Sequence, residues 1–230
     1  GRVIGSVYGG GRGQASLIVN EADTVAGRVR GNTLVDMTGG LVERSIYGGG
    51  ELGSVGTFTE FYTTATGDHV AGEPKTCKPN TGFAKVRISG GQVGKNEALM
   101  PTTLHPHNDE YGYVFCGGKG VVDSLTYPMA NLLAVVDRTY LEISNTTSGE
   151  TIVKSPVVTA SVYGGSENGL VLGNTHVKMT GGQIGTGYNE TTQQHDGLYS
   201  ESQWNDVIQR IKNGTFTDAE HTKYTADSAE

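Results

Sequence analysis

Two imidazoles and a carboxylate lie close together at His105, His107 and Asp109, in the segment His105-Pro106-His107-Asn108-Asp109-Glu110. Three donors of this kind can hold Zn²⁺ and leave one position open. Their spacing matches no strong metal motif, and the segment interrupts an otherwise regular stretch, so a solvated loop is the competing reading. A second group is aromatic. Tyr8, Tyr47, Phe115 and Tyr163 occupy equivalent places in a recurring phrase. A column of rings on an exposed strand face can bind sugar rings, and a structural ladder of equal side chains is the alternative. Cys77 and Cys116 could form a disulfide that pins an insertion in an oxidising compartment. They could equally be free thiols, with Cys116 standing where other copies of the phrase have glycine.

The charged residues form two ordered sets. Asp36, Arg87, Glu142 and Lys178 sit between apolar neighbours, and Arg12, Glu51, Lys119 and Glu167 follow glycine-rich turns. In each set the sign alternates along the chain, and the two sets run in opposite phase. Equivalent residues of stacked parallel strands lie about 4.8 Å apart, where opposite charges attract and like charges repel. Both sets therefore read as ladders that mark register. A carboxylate between two cations is held ionised, which disfavours work as a general acid. There is no nucleophile elbow, phosphate loop or paired catalytic carboxylates. No catalytic residue and no cofactor are assigned, and the protein is read as non-enzymatic. A polysaccharide lyase or hydrolase is the runner-up.

These side chains are carried by two alternating phrases. The first is Val7-Tyr8-Gly9-Gly10, Ile46-Tyr47-Gly48-Gly49, Val114-Phe115-Cys116-Gly117 and Val162-Tyr163-Gly164-Gly165. The second is Val35-Asp36-Met37-Thr38-Gly39-Gly40, Val86-Arg87-Ile88-Ser89-Gly90-Gly91, Leu141-Glu142-Ile143-Ser144 and Val177-Lys178-Met179-Thr180-Gly181-Gly182. Apolar residues at every other position mean strands with one buried face. Self-similarity at a fixed period, about 26 residues for the core unit, means a repeat architecture. The expected fold is all-β: a right-handed parallel β-helix, or solenoid, of about four coils with loop insertions and a C-terminal helix.

The repeat domain is placed at 1–185, with insertions near 57–82, 95–112 and 122–136. Residues 186–230 are expected to form a helical cap and a polar tail. Ser200 and Gln203 can cap the helix reciprocally, Trp204, Val207, Ile208 and Ile211 share a face, and Asn213-Gly214 ends it. Gly1-Arg2-Val3-Ile4-Gly5 matches Gly182-Gln183-Ile184-Gly185 and reads as the tail of an earlier coil.

Composition suits this reading. Among 230 residues there are 36 glycines and 6 prolines, and only 35% are apolar. A stack tolerates that, since each coil needs few inward residues. The net charge of −7 argues against nucleic acid, whose backbone needs a basic face. No run is long enough to span a bilayer.

Ser45-Ile46-Tyr47-Gly48-Gly49-Gly50, Ser161-Val162-Tyr163-Gly164-Gly165 and Gly173-Asn174-Thr175-His176-Val177-Lys178-Met179-Thr180-Gly181-Gly182 resemble repeats in large secreted surface proteins of Bacteroides-type gut bacteria. Those are adhesin-like, glycine-rich parallel β-helix proteins. The resemblance covers residues 1 to about 185. It implies an extracellular or cell-surface location and a structural or adhesive role, and it carries over no catalytic residue. The expected function is a surface adhesin or stalk segment that binds a host or polymer ligand, such as a glycan, through its insertions. The alternatives are a carbohydrate-binding or polysaccharide-cleaving protein and a subunit of an extracellular filament. Further coils of a longer chain, or self-association, are the expected protein partners.

Overall fold

The computed structural model describes residues 1–15, 25–58, 64–66, 69–71, 76–94, 112–121, 132–185, 188–189 and 194–195. The longest strands are the second phrase and its flanks: β3 (Thr33–Val42), β7 (Phe83–Val93), β9 (Arg138–Ile143) and β14 (Thr175–Met179). They lie side by side and parallel. Val35 pairs with Val86, Val86 with Leu141, and Leu141 with Val177, and Met37, Ile88, Ile143 and Met179 follow the same register. The period of two sends these aliphatic groups to one face and the charged residue between them to the other. Two-residue strands extend this sheet to seven: β1 (Arg2–Val3) on Leu41–Val42, then β12 (Val157–Val158) on Gln92–Val93, and β15 (Gln183–Ile184) on β12.

The first phrase forms a four-stranded parallel sheet from β2 (Val7–Tyr8), β4 (Ile46–Tyr47), β8 (Val114–Phe115) and β13 (Val162–Tyr163). Its aliphatic residues meet the inner face of the larger sheet. Val35, Met37, Ile46, Val86, Ile88, Val114, Leu141 and Ile143 belong to one buried cluster, with Val7 and Val162 packed against it. Burying a side chain of this size contributes roughly 1.5–3 kcal/mol, so this seam is the main source of stability. Hydroxyls tie the two sheets together. Thr33 Oγ1 donates to the Gly48 carbonyl at 2.6 Å, and Thr139 Oγ1 to the Gly164 carbonyl at 2.5 Å. Between these two links the equivalent positions are Ala84 and Cys116, and there the Cys116 thiol donates to the Ala84 carbonyl at 3.6 Å.

Glycine is required where rungs touch. A β-carbon on Gly49 would lie 2.8 Å from the Gly118 nitrogen, and one on Gly117 would lie 2.0 Å from Ser166 Oγ. Gly40, Gly91 and Gly182 turn the chain after the long strands with φ of 88°, 86° and 89°, a region that side chains disfavour.

The expectation of a right-handed parallel β-helix of about four coils with a C-terminal helix is corrected by these strands. Among the described residues they form five separate sheets, two parallel and three antiparallel, and none is a closed or solenoid sheet. The antiparallel pairs are β5 (Thr64–Thr66) with β6 (His69–Ala71), β10 (Thr146–Ser148) with β11 (Thr151–Lys154), and β16 (Tyr188–Asn189) with β17 (Gln194–His195). The physical reason lies in what periodicity specifies. Repeated apolar and charged positions determine which strands are neighbours and in what register. They do not determine how one sheet passes into the next. Here the links are glycine-rich stretches with single-residue bridges such as Val29 to Val55 and Val136 to Val171, and two intervening segments, β5–β6 and β10–β11, pair with themselves. The helix expected near 200–214, and the rest of the expected cap beyond the short β16–β17 pair, lie outside the described residues. Within the expected insertion near 122–136, Leu132 to Val136 are buried.

Candidate binding surface

The outward residues of the long strands stand in register. Asp36 lies opposite Arg87, Arg87 opposite Glu142, and Glu142 opposite Lys178. The Arg87 guanidinium pairs with the Asp36 carboxylate. Lys178 Nζ donates to Glu142 Oε1 at 3.0 Å. That hydrogen bond holds the Glu142 carboxyl below the usual carboxylate range, and the charges of Lys178, Lys85 and Arg87 add to it. The same bond raises the Lys178 ammonium. A carboxylate so placed stays ionised and is a poor proton donor.

The second charged column stands at single-residue bridges: Arg12 to Glu51, Glu51 to Lys119, Lys119 to Glu167. Arg12 Nε is 3.3 Å from Glu51 Oε2. The Tyr47 hydroxyl donates to the Glu167 carboxylate, and Lys119 Nζ lies 5.9 Å from the centre of the Tyr47 ring. Ionic and aromatic columns are thus joined at this corner.

The aromatic column is a continuous stack. Ring centres are 4.8 Å apart from Tyr8 to Tyr47, 5.3 Å from Tyr47 to Phe115 and 4.8 Å from Phe115 to Tyr163, with planes within 9° of parallel. Tyr47 is 1% and Phe115 8% exposed, whereas Tyr163 at the end of the column is 45% exposed. The faces of the inner rings are occupied by their neighbours, which leaves no open face there for a sugar. Burial, followed by the nearby carboxylates of Glu51 and Glu167, pushes the Tyr8 hydroxyl up to about 12.

Cys77 and Cys116 are both free thiols. Cys77 Sγ lies 3.3 Å from Thr81 Oγ1, and Cys116 is buried against Ala84, so each thiol has its own local partner. Burial pushes the Cys116 thiol up to about 12. The metal-type donors His105, His107 and Asp109 lie outside the described residues.

Two features went unread in the sequence. Tyr140 stacks on His176 at 5.0 Å between centres, and Lys85 Nζ lies 4.7 Å from the Tyr140 ring centre. These residues form an outward column two positions before the charged one, so the same alternation would have found them. Glu43 is buried and pairs with Arg2. Nothing in its neighbours marks that position as internal.

Comparison with protein families, with curated proteins and with solved structures finds no match for this chain. No helix among the described residues is long and apolar enough to cross a membrane.

Proposed function

We propose that this chain is a non-enzymatic structural segment of an exported surface protein, a stalk or adhesin unit that presents its insertions to a host or polymer ligand. The observation that carries this reading is that the charged and aromatic columns are occupied mainly by their own members. Arg87 pairs with Asp36 and Lys178 with Glu142, and the Tyr8 to Tyr163 rings cover each other's faces. Such columns stiffen a surface and leave few groups to act on a substrate. Recognition is then assigned to the insertions expected near 57–82, 95–112 and 122–136, except for the buried Leu132 to Val136, as is usual for loops on a regular scaffold. The extracellular location rests on the repeat resemblance alone.

A glycan array probed with the whole chain, alongside a turnover assay on acidic polysaccharides, tests the reading. Binding without turnover, abolished when the 95–112 segment is replaced by a short glycine-serine linker, is the expected result. Release of unsaturated or reducing ends would overturn it in favour of a cleaving enzyme.

A further inference from the structure

The two ends of the ladders are complementary to each other. Among the described residues, β14 pairs only with β9, and residues 33–38 of β3 pair only with β7. Likewise β2 pairs only with β4, and β13 only with β8. Among the described residues each end thus presents strand edges whose outer side has no strand partner, and such edges seek another strand. At the β14 end this edge is accompanied by apolar surface: Val177 is 48%, Met179 46% and Tyr163 45% exposed.

An alternating column with four rungs must end on opposite signs, and both columns have four. One end shows Arg12 and Asp36, and the other shows Glu167 and Lys178. We infer that a second copy of this chain docks its β2–β3 end onto the β13–β14 end of the first, in register, so that the molecules stack head to tail. Arg12 then meets Glu167, Asp36 meets Lys178, and Tyr8 stacks on Tyr163. Each new rung repeats a pairing already present inside the molecule at a spacing of about 4.8 Å. Because the two faces that meet are different, this contact is heterologous, and because each copy keeps its other end free it is open-ended.

One adjustment is needed. The Leu41–Val42 ladder has an extra rung, running from β1 to β15. A copy entering in register brings its β1 to the level of the first copy's β15, so one of the two must leave. Gln183 and Ile184 stand in the same register as Arg2 and Val3, within matching Gly-X-Ile/Val surroundings. The amides of Leu41 and Glu43, which bond Gly1 and Val3 at 2.9 and 2.8 Å, can take Gly182 and Ile184 of the neighbouring copy instead. β15 of one copy thereby replaces β1 of the next, at the cost of the Arg2–Glu43 pair.

Glycine supplies a clean test. Gly10, Gly49, Gly117 and Gly165 are equivalent, and a β-carbon on the first three would strike the next rung. A β-carbon on Gly165 meets nothing within 4 Å, because its next rung would belong to the second copy. Sedimentation velocity on the whole chain should give a size distribution that rises with concentration without a plateau and shrinks in high salt. Gly165→Ala should leave circular dichroism and thermal midpoint unchanged and weaken association by about tenfold or more. Lys178→Glu and Asp36→Lys should each be impaired alone and regain open-ended assembly when mixed, since each supplies the charge the other needs. A wild-type chain that stays monomeric at its solubility limit overturns the inference. So does a closed dimer, or association that Gly165→Ala leaves untouched. None of these readouts depends on glycan binding by the insertions, so this inference and the proposed function fail separately.

Discussion

Cys116 illustrates how a departure from a repeat is absorbed locally. Every other copy of its phrase has glycine at this place, Gly9, Gly48 and Gly164, and the threonine that would face it across the seam is replaced by Ala84. The thiol is buried at this place and donates to the Ala84 carbonyl. Burial raises its pKa to about 12, so at neutral pH the group is the unreactive thiol. Native protein treated with a thiol-disulfide reagent at pH 8 should therefore label at Cys77 and not at Cys116, with the second label appearing only on unfolding. Mass-spectrometric mapping of the labelled peptides checks this, and rapid native labelling of Cys116 would contradict the burial. At this scale the sequence was informative where a residue type repeats. Alternating signs pointed to Asp36, Arg87, Glu142 and Lys178 as a set. The buried Glu43 was invisible because its setting depends on Arg2, forty-one positions away.

Strand neighbours follow from the phrases because parallel register is set by matching apolar positions, and β3, β7, β9 and β14 pair at those positions. The joining of sheets was not legible, since the glycine-rich links hold single bridges and no extended pattern. The same strands show how position in the ladder grades stability. Leu141 and Val177 are register partners, yet Leu141 is fully buried between two rungs while Val177 has a rung on one side only. Leu141→Ala removes packing on all sides and should cost about 2–5 kcal/mol. Val177→Ala removes fewer methyl groups from a half-open site and should cost well under half of that. Urea unfolding at low protein concentration reads both, and equal losses would mean that β14 is covered as thoroughly as β9.

At the scale of the molecule this grading becomes a gradient along the stack. The charge columns, the ring stack and the aliphatic seam are all made of nearest-neighbour contacts, so each rung is secured by the rungs beside it. β7 and β9 have long-strand neighbours on both sides. β14 has one, and all five of its residues are exposed, as are both residues of β1. Opening from an end breaks one set of contacts, whereas opening in the middle breaks two, so protection should fall from the centre outward. Hydrogen exchange on dilute protein should find the amides of Val86, Ile88, Leu141 and Ile143 slowest, with those of β14 and β1 faster by orders of magnitude. Tyr163 and Val162 should exchange faster than Tyr47 and Ile46 for the same reason. Uniform protection from β3 to β14 would mean that the ladders unfold as one body and that their ends are held by contacts other than the rungs. A gradient of the expected sense would also fit the head-to-tail docking inferred for the chain. The centre supplies rigidity, and the ends keep the strand edges that a neighbouring copy can complete.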